Sequence, residues 1–347
     1  MAIKMIDLFS GIGGIRLAFE NNGAKCVCSS EIDKYACQTY YENFNDKPLG
    51  DVSKLGKDDF PHFDILAGGF PCQPFSLGGM RKGFNDTRGT LFFEVARILK
   101  ECKPKAFLLE NVQGLVNHDK GKTIETIENV INELGYSFRW KVMNAKDYGV
   151  PQNRSRWYCI GFRRDLGVSF SETIDKQVKK VSNVFYFPSE CKLTISLSDI
   201  IDDVVDDCYK VSDIAISNID KFKDAYLENH ASEKPLIAYE VRPSRCSFRN
   251  DGISPCLTAK MGTGGNNVPI VVSQKRKLTE RECLKIMGFP ENFVIKKNSS
   301  HSYKHLAFLI FLLLLFHFVQ IHSPYLSNHQ HLYFLFLMRL RSCSYYL

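Results

Sequence analysis

The hydrophobic and polar positions fall into a repeating strand–turn–helix order over the first half of the chain. Residues 5–9 form a short apolar run that predicts a strand. It enters Ser10-Gly11-Ile12-Gly13-Gly14 and then an amphipathic helix over 15–22, closed by Gly23. A second strand is predicted over 24–29, ending near Glu31, and a helix over 33–45. Residues 63–67 predict a third strand, ended by Gly68-Gly69 and the stiff sequence Phe70-Pro71-Cys72-Gln73-Pro74-Phe75-Ser76. A helix over 92–100 leads to a buried strand over 104–109 that ends at Glu110-Asn111-Val112. The helix predicted over 123–134 carries Ile124, Ile127 and Ile131 on one face. Strands over 137–144 and 157–162 flank a loop holding Gln152, Arg154 and Arg156. This order predicts an α/β fold, a Rossmann-like sheet with helices on both faces.

From about Ser169 to Lys275 the alternation dissolves into short runs and charges, which predicts a smaller, irregular second domain. Its one distinctive stretch is the small, glycine-rich run 255–267, able to lie against a sugar-phosphate backbone. Thr279 then caps a helix start, and Met287-Gly288-Phe289-Pro290 ends that helix. The boundaries read from this pattern are 1–168, 169–275, a return segment 276–304, and a tail 305–347.

Several positions carry candidate chemistry. The glycine spacing after the first strand is Gly-x-Gly-Gly, unlike that of NAD-binding folds, and shifts weight to other adenosyl cofactors. Glu31 stands where such folds hold ribose hydroxyls, or else caps a helix. Asp51 is placed to meet an adenine amino group, or to cap a short helix. Cys72 taken alone reads as a buried structural thiol. A carboxylate at Glu110 would share its sheet edge, as a nucleophile and proton donor in covalent catalysis must. Arg154 and Arg156, two apart before a strand, suit a phosphate or base edge, or a solvated face.

Composition narrows this modestly. The chain has 347 residues, enough for two domains, with 44% hydrophobic and 24% charged residues, ordinary for a soluble protein. A net charge of +7 permits a polyanionic partner without demanding one. Twelve cysteines occur without a CxxC pair and the amino terminus has no signal-peptide pattern, so reduced thiols and a cytoplasmic location are expected. Cys26 and Cys28 alternate within a strand and read as core, so no metal site is expected.

With these residues in hand, the chain resembles the DNA (cytosine-5) methyltransferases of bacterial and phage restriction-modification systems. Asp7-Leu8-Phe9-Ser10-Gly11-Ile12-Gly13-Gly14 resembles the family's motif for S-adenosylmethionine, and Gly69-Phe70-Pro71-Cys72-Gln73-Pro74-Phe75-Ser76 its nucleophile motif. Glu110-Asn111-Val112, Gln152-x-Arg154-x-Arg156, and Arg281-Glu282 with Gly288-Phe289-Pro290 resemble three more. The resemblance implies a flipped cytosine attacked at C6 by Cys72, held by Glu110 and clamped by Arg154 and Arg156. It implies a cofactor site of Phe9, Gly11, Gly13, Gly14, Glu31, Asp51 and Pro71. Contacts to double-stranded DNA would come from Gln73, Ser76, Gln152, Thr258, Gly264 and Gly265. It further implies a monomer, no stable membrane association, and a cognate restriction endonuclease that shares the site without binding this chain.

Two departures stand out. Cys256 falls where the family has threonine. After Tyr303-Lys304 the family continues into Gln-x-Gly-Asn, whereas here an apolar run begins at Leu306, and from there to Leu347 no Gly, Asp, Glu or Lys occurs. Six of the nine histidines lie at or beyond His301. An out-of-frame tail and a membrane-associating segment are both open readings, although the uninterrupted run is about half of the roughly 20 residues a span needs. Such a tail would not close the cofactor site as the family does. The functional readings are therefore a sequence-specific DNA methyltransferase, a non-catalytic DNA-binding remnant, or a tRNA cytosine-5 methyltransferase; the wrong glycine spacing disfavours an NAD oxidoreductase.

Overall fold

The computed structural model describes residues 2–71, 91–171, 184–263, 268–297 and 300–306. The expectations for Cys72, Gln73, Ser76, Gly264, Gly265 and the tail from 307 onward lie outside these residues.

Six strands form the central sheet: β1 (Lys4–Leu8), β2 (Lys25–Ser30), β3 (Ile65–Gly69), β4 (Ala106–Val112), β5 (Tyr136–Asn144) and β6 (Ser155–Arg163), in the order β2-β1-β3-β4-β6-β5. The first four are parallel, and β6 runs antiparallel to both β4 and β5. The order reverses between β1 and β3, where doubly wound sheets open a crevice at the carboxyl ends of their strands.

Alternation along each strand sorts side chains to two faces. Met5, Ile65, Ala67, Ala106 and Leu108 pack on one side with α1 (Gly14–Glu20), α2 (Lys34–Phe44) and α6 (Glu280–Ile286). Ile6, Leu8, Leu66, Phe107 and Leu109 pack on the other with α3 (Leu91–Cys102) and α4 (Lys122–Glu133). The predicted elements of the first half therefore stand, with ends shifted by one to three residues. Cys26 and Cys28 are buried in β2, where burial pushes both thiols up to about 12.

One guanidinium ties the first units together. Arg16 of α1 bonds Glu20, Tyr40 of α2 and Asp46 beyond it, and lies over the rings of Tyr40 and Phe44. Its backbone N–H donates to Asp7 of β1 at 3.3 Å.

The stretch expected to be irregular is more ordered than its sequence suggests. It holds a 15-residue helix, α5 (Asp213–Leu227), and a short parallel pair, β7 (Ser169–Phe170) and β8 (Val184–Phe185). A second sheet orders β10 (Arg245–Arg249), β9 (Ile237–Arg242), β11 (Ile270–Val271) and β12 (Arg276–Lys277), and packs against α5 through Ile219, Ala238, Val241, Phe248 and Ile270. Backbone bonds stitch this region to the loop before β6: Asn153 N–H to Ser254 O at 2.9 Å, and Ser254 N–H to Pro151 O at 2.7 Å.

The last element among the described residues is α7 (Ser300–Leu306). His305 and Leu306, counted with the tail on sequence, belong to it and are buried. No helix among the described residues is long and apolar enough to cross a membrane.

Candidate functional site

The site assembles where the parallel strands end. Phe9 follows β1 with φ of +56°, a conformation uncommon for a residue with a side chain. Gly13, at φ +94°, is the residue before α1, and a Cβ there would fall 2.2 Å from the Phe44 ring. Glycine is thus needed twice over at that position, for its backbone and for its missing side chain. Gly14 is buried as the first residue of α1. Gly11 differs: a Cβ built on it meets nothing within 4 Å, so this turn is open on its outer side.

Glu31, just past β2, links the turn to α2. Its Oε2 accepts the Gly11 N–H at 2.9 Å, and its Oε1 accepts the N–H groups of Ile32 and Asp33, both at 2.8 Å. Beside it, Ile32 is 75% exposed, an apolar side chain with no core contact to explain it. Asp51 caps the short helix 52–54 through the Ser53 N–H and hydroxyl, at 3.0 and 2.7 Å. The Ser30 hydroxyl bonds the Gly50 carbonyl at 2.7 Å and holds this loop beside the end of β2.

Two buried groups below the turn have no partner among the described residues: Ser10 Oγ and Asp7 Oδ1. Burial pushes Asp7 up to about 8, against the pull of the Arg16 N–H and side chain. An acceptor pair on Glu31, an open glycine turn and an exposed Ile32 are the chemistry an adenosyl group needs, for its hydroxyls and its base. The residues fit such a cofactor.

The second half of the site lies one strand further along the edge. In the ladder Gly69 of β3 stands opposite Glu110 of β4. Past Gly69 come the buried Phe70 and the exposed Pro71, the residue before Cys72. Asn111 Nδ2 donates to the Phe70 carbonyl at 2.8 Å, so β4 fixes the exit of β3. Arg156 Nε lies 3.1 Å from Glu110 Oε1, both side chains nearly buried. Burial raises the Glu110 carboxyl, while Arg156 and Arg154 pull it back. Burial lowers the Arg154 guanidinium, and Arg156 adds to that.

Of the two arginines expected to clamp the flipped nucleotide, Arg156 pairs with Glu110, whereas Arg154 is turned inward. It is 2% exposed and donates to the Leu257 carbonyl at 3.1 Å, with Cys256 Sγ at 3.7 Å. Gln152, expected to meet DNA, is fully buried and donates to Met287 Sδ at 2.8 Å. Thr258 is exposed. The bond from Asn111 to Phe70 and the exposure of Ile32 were not legible in the sequence: Asn111 stood inside the Glu110-Asn111-Val112 motif, whereas Ile32 carried no signal beyond its neighbour Glu31.

Solved structures give the class of the fold. A DNMT2 mutant from Spodoptera frugiperda aligns with TM-score 0.66 over 90% of this chain and 97% of its own, at 20% identity. The S. pombe Dnmt2 methyltransferase aligns with TM-score 0.64 over 91% and 96%, also at 20% identity. The fold is that of a Rossmann-like methyltransferase.

Sequence relatives carry this further. Type II methyltransferase M1.ScrFI of Lactococcus lactis subsp. cremoris is 43% identical over 304 residues, 87% of this chain and 73% of the relative. Type II methyltransferase M.HhaI of Haemophilus parahaemolyticus is 39% identical over 314 residues, 87% of this chain and 88% of the relative. Residues 3–307 match the C-5 cytosine-specific DNA methylases, and the chain belongs to that family. Its members methylate C5 of cytosine in DNA, with S-adenosylmethionine use a general property of the family.

Proposed function

We propose that this chain methylates C5 of a cytosine within a specific sequence of double-stranded DNA, through a covalent bond between Cys72 and C6 of a flipped base. The observation that supports it best is the buried Glu110–Arg156 pair standing opposite the strand that leads into Pro71 and Cys72. A base inside a duplex keeps C5 and C6 stacked and out of reach, so it must leave the stack first. The Cys72 thiolate then forms the S–C6 bond, and the ring electrons move toward N3 and C5. Glu110, in its protonated form, donates its proton to N3 where that charge develops and accepts from the exocyclic amine, and Arg156 holds Glu110. Bound S-adenosylmethionine would supply an electrophilic methyl group, its sulfur keeping the bonding pair and leaving as a neutral thioether. Once C5 carries that methyl, C5 gives up its proton, the C6–S bond breaks, and the thiolate is restored.

Phe9, Gly11, Gly13, Gly14, Glu31, Asp51 and Pro71 would line the cofactor site, with Ile32 added beside the adenine. Residues 1–168 would form the catalytic domain, with 276–304 returning to it. Residues 169–275 would read the sequence, with Thr258 in the groove-facing segment alongside Gly264 and Gly265; Gln73 and Ser76 would meet DNA from the catalytic side. The chain would act as a cytoplasmic monomer without membrane association, beside a restriction endonuclease that reads the same site.

Bisulfite sequencing of duplex DNA incubated with the purified chain and S-adenosylmethionine tests this. Methylcytosine at one repeated sequence is expected, and Cys72→Ser is expected to abolish it while DNA binding survives. Substantial methyl transfer by that variant would overturn the covalent mechanism.

A further inference from the structure

Helix α2 is gripped at both ends by residues more than two hundred positions away. At its carboxyl end Asn43 makes a reciprocal pair with Val294: Nδ2 to the carbonyl at 2.9 Å, and Val294 N–H to Oδ1 at 2.7 Å. At its amino end Asp33 caps the helix, Oδ1 accepting the Tyr35 and Ala36 N–H groups at 2.9 and 3.3 Å. The same carboxylate takes Lys304 of α7, whose Nζ donates to Oδ2 at 3.1 Å. His305 Nε2 stands 3.1 Å from Oδ1 without hydrogen-bond geometry, and burial lowers the imidazole below its usual range, so this contact carries charge only when the ring is protonated. The His301 ring stacks on Tyr35 with centroids 3.7 Å apart.

On its other side, Asp33 is joined by its backbone to the cofactor edge. Its N–H donates to Glu31, whose second oxygen holds Gly11. A continuous path therefore runs from the glycine turn through Glu31 and Asp33 to Lys304, in four groups. Burial works against the Asp33 anion, but Lys304, the α2 N–H and His305 outweigh it and hold its carboxyl well below the usual range.

We propose that Asp33 is a positioning residue that couples cofactor binding to the docking of α7: by drawing Lys304 and His305 onto the first turn of α2 it sets Glu31 for the cofactor hydroxyls. This rests on the reading of Glu31 as a cofactor ligand. Coupling of this kind is reciprocal, so the cofactor must tighten α7 by the factor that α7 tightens the cofactor.

The test uses the full chain, with S-adenosylmethionine titrated by calorimetry and amide exchange followed over 300–306. Lys304→Ala/His305→Ala is expected to weaken binding about tenfold at low salt, with the deficit shrinking at high salt because half-exposed ion pairs are screened. Lys304→Arg is expected to restore affinity, and Asp33→Asn, which keeps a capping oxygen, to behave like the double alanine variant. In the unmodified chain the cofactor is expected to slow exchange across 300–306. If the unmodified chain binds the cofactor and the double variant binds equally well, the coupling is overturned while the cofactor site stands. If the unmodified chain binds none, both readings fall.

Discussion

The side-chain amide of Asn111 donates to the main-chain carbonyl of Phe70 at 2.8 Å, while its own oxygen accepts the Val112 N–H at 2.8 Å. One side chain thereby locks the end of β4 to the exit of β3, immediately before Pro71. Asn111→Ala leaves a buried carbonyl without a donor, which costs about 1–3 kcal/mol. Thermal unfolding is expected to register that loss. Single-turnover methyl transfer is expected to slow by more than DNA binding weakens, because misplacing a loop harms orientation before affinity.

Arg156→Leu removes the charge closest to Glu110. Burial already raises that carboxyl and the two arginines oppose it, so the variant is expected to titrate at higher pH than the native chain. Carbon-detected NMR of labelled glutamate, followed against pH, reads the shift directly. No upward movement would mean that solvent, and not Arg156, offsets the burial of Glu110.

The strands and their acidic ends were legible because each is a short apolar run terminated by a charge or a glycine; Glu31 and Glu110 could be placed from that alone. Helix α5 was not, since only Ala215, Asn218 and Ile219 along its 15 residues are buried, too narrow a stripe to announce a period. Strands of two residues, such as β11 and β12, are too short to alternate. Gln152 and Arg154 show a different limit. A motif names residue types, whereas their burial comes from Met287, Cys256 and Leu257, a hundred or more positions away.

Asp7 should impose a pH dependence on stability. Its carboxyl rises from 3.8 to about 8 on folding, so its neutral form suits the buried site. That contribution is complete below pH 3.8 and is lost as pH climbs through 8. Asp7→Asn, which stays neutral, is expected to flatten the fall in melting temperature between pH 4 and 8. A slope unchanged from the native chain would assign the dependence to other groups.

Arg276 and Glu282 form a two-pronged buried ion pair, Nη2 to Oε1 at 2.7 Å and Nη1 to Oε2 at 2.8 Å. Glu282 also accepts the N–H groups of Asp202 and Thr279. Glu282→Leu leaves the guanidinium uncompensated and is expected to cost about 3–5 kcal/mol in denaturant unfolding, whereas Arg276→Met/Glu282→Leu is expected to recover only the part due to the stranded charge, since the Asp202 and Thr279 N–H groups still lack their acceptor.

Arg16 has a consequence for how the molecule comes apart. Because one guanidinium joins α1, α2 and Asp46, and its amide reaches β1, none of these pieces can open without abandoning the others. They should exchange their amide hydrogens as a single cooperative block, with one shared opening free energy. A small molecule arriving at the glycine turn would then find that wall of its berth already rigid, and whatever affinity it spends on ordering would go to α7 and not to this block.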